Sequence, residues 1–598
     1  MNFDNKNFIL AIILSMAIIF GWQYFYSGPL SKKQADMQAS QQQTVPNTNG
    51  TTGQAPAAPG SAAPGTTAAT AMTRDQALKA SPRVAIETTY VSGSINLKGA
   101  QIDDLHLLKY RETIDPKSPT IAFLSPAGSP GAMFAEQGFV PAAGSTAKLP
   151  ASDTLWTAAE GAILGEGKPV KLTWDNGEGL LFTRTIMIGD EYIFTVTQTV
   201  ENKSAAPLTL TPYARIVRQD TPQISGYWVF YEGMLGVANK SLVEVHYSDA
   251  AETPEATRTE GTGGWLGFTD KYWAATLIPD QSRAVIATYK HDKLAERDVY
   301  NTNYVTKDAI IVAPGASATY QDQFFAGAKV VKTINAIGEK YKIDRFDLMI
   351  DWGWFYFLTK PMFYLLDFLN GLAGNFGIAI LLATLLVKAV VFPLANKSYA
   401  SMSKMKNLQP EMTKLKELYP DDRAKQQQGM MELYKREKVS PLSGCLPVVV
   451  QIPVFFSLYK VILTSIELRH APFFGWIHDL SAPDPTSFAN LFGLIPFTPP
   501  AFLAIGVWPL LMGITMWVQM RLNPTPPDPV QASLFNWMPV MFTFMLGTFP
   551  VGLVIYWAWS NSLSIIQQSY IMKRHGTEVN ILGNIRESLP FLKKKPAS

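Results

Sequence analysis

The 598-residue chain has one cysteine, Cys445, six histidines and only 17% charged side chains. A single cysteine excludes internal disulfides and any cysteine-rich metal site. His106, His246, His291, His470, His478 and His575 are scattered without ligand-set spacing, so no metal is expected. There is no phosphate-cradling glycine loop, no HExxH and no GxSxG. No cofactor and no catalytic residue are therefore expected, although a carboxylate pair in the β-rich region stays open. A net charge of +3 is too small for a nucleic-acid binder driven by basic excess. At 47% hydrophobic residues the chain is too apolar to be disordered throughout.

What the chain does contain is unevenly spread. Residues 8–25 (FILAIILSMAIIFGWQYF) carry no charge and are long enough to cross a bilayer. The following Gly-Trp-Gln-Tyr-Phe-Tyr lacks a small-x-small cleavage pattern, which favours a retained anchor (1–28) over a secretory signal. Residues 29–74, rich in Gln, Ala, Pro, Gly and Thr, read as a flexible linker. From about Arg83 to Asp344 the apolar pattern has period two, as in YIFTVTQTV at 192–200, with turn signals such as Gly189-Asp190. This predicts an extracytoplasmic all-β sandwich over 75–347. Residues 351–371 place Lys360, Tyr364, Asp367 and Gly371 on one narrow stripe. That is the profile of an interfacial amphipathic helix, assigned to 348–374, with a helix buried between domains as the alternative.

After Asn375 long apolar runs dominate, at 376–394, 442–466 and 502–520. Residues 535–572 then run for 38 positions without Asp, Glu, Lys or Arg. One helix of that length would be about 57 Å long, nearly twice the hydrocarbon thickness. The turn signals at Gly547 to Gly552 make two spans in a hairpin the better fit, for six spans in all. Segment 396–438 carries ten basic against six acidic residues, and the tail at 573–598 six against two. The positive-inside rule then puts the hairpin, the tail and both termini in the cytoplasm and the β domain outside.

Lys388 sits six residues before Leu394, about 9 Å inside the cytoplasmic end of its span. An intramembrane charge normally faces a bundle interior or a wet cavity. Snorkelling is the bland alternative at this depth, and it is preferred for Lys460, near the outer end of another span. No carboxylate lies within the spans, which favours water around Lys388 over a buried ion pair. Thr384, Gln451, Gln519, Tyr556, Trp557 and Asn561 are the other candidate groove residues. Each polar one could simply bond a neighbouring helix. The cytoplasmic segment reads as two amphipathic helices split at Tyr419-Pro420-Asp421-Asp422. Met402, Met405, Met412, Met430 and Met431 give it a soft apolar face suited to varied apolar partners, or else to packing on itself. The lysine-rich tail end could touch anionic lipid or ribosomal RNA, or serve only as a topology signal.

Several runs carry a resemblance. They are SPLSGCLP at 440–447 with QIPVF at 451–455, LRHAPF at 468–473 with WIHDLS at 476–481, and Met538-Pro539. GLVIYW at 552–557 with Ser560-Asn561, and WLGFTDKYW at 265–273, complete the set. Together they resemble the YidC membrane protein insertases (YidC/Oxa/Albino family) of the Gram-negative type, with a large periplasmic domain. The resemblance implies a non-enzymatic insertase and chaperone of the inner membrane with a six-span helical bundle, spans two to six of which form the insertase core (375–572). It implies a hydrophilic groove open to cytoplasm and lipid, and a periplasmic domain similar to sugar mutarotases in fold but not in activity. The implied partners are nascent membrane proteins, the Sec translocon and its accessory subunits, membrane lipids, and the ribosome and targeting machinery at the hairpin and tail. It implies that a positive groove residue attracts acidic substrate segments. That position matches Lys388, where many members carry arginine, so bidentate recognition is in doubt. The competing readings are a transporter or channel using the same groove, and an anchored periplasmic sugar enzyme.

Overall fold

The computed structural model describes residues 72–576 apart from 190, 225–229, 254, 295, 421, 438, 440–445, 498, 501–503 and 524–528. The expected anchor, the linker up to residue 71, Cys445 and the tail from 577 lie outside the described residues. The chain is ordered before the expected end of the linker. Thr73 and Gln76 form a capping box that starts helix α1 (Arg74–Lys79), and Arg74 pairs with Asp104 on a neighbouring strand.

Residues 83–328 build two stacked β-sheets, one of eleven strands and one of nine, almost wholly antiparallel. Alternation explains why. Strands Leu180–Gly189 and Ile193–Asn202 pair antiparallel, and every second side chain of each is buried. The short helix α2 (Tyr247–Glu252) lies among the strands, and α3 (Val331–Lys340) closes the domain. Close packing fixes Gly327, where a Cβ would lie 2.2 Å from the Tyr192 ring. Arg184 clamps the two sheets together. It is buried, and its guanidinium donates to Ala100 O at 2.9 Å and to Gln137 O on the opposite sheet.

Asp322 is also buried and accepts the Tyr304 hydroxyl; burial pushes its carboxyl up to about 7. The native state then keeps a proton that the unfolded chain releases near pH 4. Stability therefore falls as pH rises from about 4 to about 7. Asp322→Asn is expected to remove about 2–3 kcal/mol of the difference in stability between pH 5 and pH 8. Denaturant melts at the two pH values, following the β-domain signal, check this. An unchanged pH slope would show that Asp322 is ionised throughout.

The remaining helices are α4 (Tyr356–Ala373), α5 (Phe376–Asn407), α6 (Gln409–Leu418), α7 (Arg423–Arg436), α8 (Leu446–Thr464), α9 (Val507–Leu522), α10 (Pro529–Leu546) and α11 (Val551–Arg574). The 535–572 run is broken at 547–550, between α10 and α11. Helix α11 is the hub, packing against α9, α5 and α8, while α4 packs on α5 and α8, and α10 on α9. Among the described residues no single helix is long and apolar enough to cross a membrane. One bent pair, Phe376–Val390 and Phe392–Asn407, meets that requirement jointly, with 68° between its arms. The break falls at Val391, two residues before Pro393, which lacks an N–H and whose ring clashes with the carbonyl four residues back. The helix over the expected span 376–394 continues, with this bend, to Asn407, and the helix over the expected span 502–520 is Val507–Leu522.

The stripe on α4 does not simply face water. Lys360 pairs with Asp347 at 2.5 Å and Asp367 with Lys332 at 2.9 Å, while Tyr364 accepts from Asn335 at 3.0 Å. The polar side of α4 therefore docks on α3 and the turn after it, and Trp354, Tyr356, Phe357, Phe368 and Leu372 are left exposed.

Candidate functional site

Lys388 precedes the bend of α5 by less than a turn. Its Nζ donates to Ser564 Oγ on α11 at 2.8 Å, and the side chain is half-buried. Tyr399, on the other arm of α5, is buried against Ile571 of α11 and faces the same Ser564. Both arms of the bent helix thus converge on one buried serine. The sequence reading missed Ser564 and Tyr399. The signal was nevertheless present, because Ser560, Asn561, Ser564 and Gln568 recur at helical spacing and all are buried on one arc of α11.

The other expected groove residues are distributed along that arc. Gln451 on α8 donates to the Tyr556 hydroxyl, and Asn561 donates to Thr515 Oγ1 on α9 at 3.3 Å. Tyr556 lies eight residues, about 12 Å, from Ser564, so these contacts stand at different levels. Trp557 packs between Phe455 and Phe542, with ring centroids 4.7 and 5.7 Å away. Gln519 is half-buried on α9. Thr384 is buried and its hydroxyl donates to Ile380 O of its own helix at 2.6 Å, so it presents no free donor to a groove.

Lys460 needs correction. It does not snorkel to water: it is buried and its Nζ lies 2.6 Å from Asp351, in the loop entering α4. Its acid comes from outside the apolar runs, so a search within those runs does not find it. Two further contacts join the β domain to the segment after α8. Glu467 accepts from Val331 N at 3.0 Å, at the start of α3, and Arg469 donates to Arg111 O at 2.7 Å while lying over Tyr272 and Trp273.

The five methionines do not share one open face. Met402 is buried with Tyr399 against Ile571 of α11, and Met412 is buried beneath the Tyr434 hydroxyl of α7. Met405 and Met430 are half-buried, and Met431 is exposed.

Residues 83–365 match the family model of the YidC periplasmic domain, and residues 368–578 that of the 60Kd inner membrane protein. Relatives named membrane protein insertase YidC include that of Bradyrhizobium diazoefficiens, 51% identical over 98% of each chain. Another, from Rhizobium meliloti, is 51% identical over 99% of this chain and all of its own. The chain belongs to the YidC insertase family. Among solved structures, an active YidC insertase with its first transmembrane domain resolved is 18% identical at a TM-score of 0.35, covering 82% of this chain and 95% of its own. A galactose mutarotase related enzyme from Lactobacillus acidophilus is 12% identical at a TM-score of 0.28, covering 41% of this chain and 97% of its own. The role named for YidC relatives is non-enzymatic, as the lack of catalytic signatures leads one to expect. The periplasmic-domain match spans the β-sandwich, α3 and the first half of α4, and the inner-membrane match the rest of α4 and the helices after it.

Proposed function

We propose that this YidC-family protein receives nascent membrane proteins in a hydrophilic groove bounded by α5, α8, α9 and α11, open to the cytoplasm, and releases them sideways into the inner membrane. The observation that carries the reading is Lys388, a cation beside a helix bend whose hydrogen-bond partner is a neutral serine. A charge held this way keeps its field for an incoming acidic segment, whereas a carboxylate partner would neutralise it. The physical need is plain. Unsatisfied polar groups of a translocated segment cost several kcal/mol each in hydrocarbon, and a wet groove shortens that path. Burial of the substrate's own spanning helix, at about 25 cal/mol per Å², drives release without a nucleotide.

In this reading the chain makes six spans, with the β-sandwich in the periplasm and both termini in the cytoplasm. The segment at 396–438 meets ribosome and targeting partners, and Met405 at the end of α5 with Met430 and Met431 on α7 are its substrate-contact residues, since Met402 and Met412 are packed. The Sec translocon is an additional partner beside which the protein works. A photocrosslinker placed on the Lys388 turn of α5 is expected to capture a ribosome-bound nascent chain. Capture only from the exposed, lipid-side position Ile514 would remove the groove from the mechanism.

A further inference from the structure

Between α8 and α9 the chain makes an excursion whose polarity is inverted. Phe488 N donates to Ile505 O at 3.0 Å, so residues 488–505 leave and return at one point as a closed loop. Within it the backbone bonds to itself: Phe492 N to Ser487 O at 2.7 Å and Ile495 N to Asn490 O at 3.1 Å. The Asn490 amide donates to Phe497 O at 3.3 Å. The apolar side chains Leu491, Phe492, Leu494, Ile495 and Phe497 are turned outward, Leu494 to 84% exposure. Leu491 and Phe492 adopt successive left-handed conformations (φ 49° and 58°), which bulky residues avoid unless something favours the display. No Asp, Glu, Lys or Arg occurs from Pro485 to Met520.

The base of the loop is pinned to helix ends. Val507 N donates to Thr486 Oγ1 at 3.0 Å and Trp508 N to Asp484 Oδ2 at 2.9 Å, which caps α9 from outside its own sequence. Val551 N donates to Ala482 O at 2.8 Å, tying the same segment to the start of α11. The apolar display is therefore held level with the starts of α9 and α11. Helix α9 has 16 residues, about 24 Å, against about 30 Å of hydrocarbon.

We propose that the loop at 488–497 is immersed in the outer leaflet beside α9, supplying the apolar thickness that this short helix lacks. A backbone satisfied internally beneath outward apolar side chains is what hydrocarbon demands. A protein partner would instead be met by hydrogen bonds, about one per 100–200 Å² of interface, and the loop directs its polar groups inward. The proposal rests on the topology given above, which the test reads separately.

In the full-length chain with Cys445→Ser, Leu494→Cys and Ile495→Cys would each be labelled with a membrane-impermeant maleimide, in spheroplasts and in protein-only proteoliposomes of phosphatidylethanolamine and phosphatidylglycerol. The control is Ile311→Cys, on an exposed strand position of the β domain. Labelling of both loop positions at least tenfold more slowly than the control in both preparations is expected. A fluorophore introduced there before reconstitution is expected to be quenched by acyl-chain spin-labelled lipid. Rates equal to the control would overturn the proposal, and so would protection in cells that vanishes in proteoliposomes, which would mean a protein cover. A control unreactive from outside, with the loop still quenched by lipid, would overturn the outer-leaflet placement and the topology while keeping the immersion.

Discussion

Lys388→Glu is expected to reduce insertion of substrates with acidic translocated segments at least tenfold, while Lys388→Arg stays within about threefold of the parent. At about 8 Å and an effective dielectric constant near 20, a unit charge pair is worth about 2 kcal/mol, and reversal doubles the swing. Each 1.4 kcal/mol is tenfold, so tenfold is a cautious floor for a wet groove that screens part of the field. Arginine keeps the charge and the reach to Ser564. It adds a planar fork, which changes geometry more than attraction. Lys388→Gln separates field from hydrogen bond, because it can still donate to Ser564 without a charge. Insertion is read by protease protection of the translocated segment, with a substrate of neutral translocated segment as control. Equal loss for acidic and neutral substrates would indicate a packing defect at the bend. Equal activity of all variants would take Lys388 out of the mechanism.

The β-sandwich was legible because half-buried strands write their two faces as alternation, and sequences such as YIFTVTQTV keep it over a whole strand. Lys388 was legible because a lone charge stands out against apolar neighbours. Ser564 and Tyr399 were not, since a serine in a span is ordinary and only the fold shows that two helix arms meet on it. Span ends were blurred for a similar reason. Apolar composition continues smoothly from the 488–505 excursion into α9, and only the backbone reveals where helix begins. Lys460 was misread because its partner Asp351 is 109 residues away in the chain. The methionines were blurred differently: a composition count cannot tell an exposed methionine such as Met431 from one buried against α11, as Met402 is.

That distant pair carries the second large effect. Asp351 has three partners: Lys460 Nζ at 2.6 Å, Tyr231 N and Gly353 N, each amide at 2.9 Å. One carboxylate thus joins the β domain, the entry to α4 and the C-terminal part of α8. Asp351→Ala would take the 2.6 Å carboxylate from a buried ammonium and its acceptor from two amides, and is expected to destabilise the junction by about 3–5 kcal/mol. Lys460→Met alone should cost less, because the half-exposed carboxylate can turn to water and keep both amides. In the double variant Asp351→Ala with Lys460→Met the buried ammonium goes together with its carboxylate, so a large part of the single aspartate loss should return. Thermal unfolding in lipid, with limited proteolysis between the β domain and α4, measures all three. Additive losses in the double variant would mean that the pair contributes nothing beyond its separate contacts. If insertion of neutral substrates survives Asp351→Ala while the junction becomes protease-sensitive, the helices insert without a rigid hold on the β domain. If insertion falls in step with junction stability across the three variants, the β domain takes part by fixing the outer end of α8.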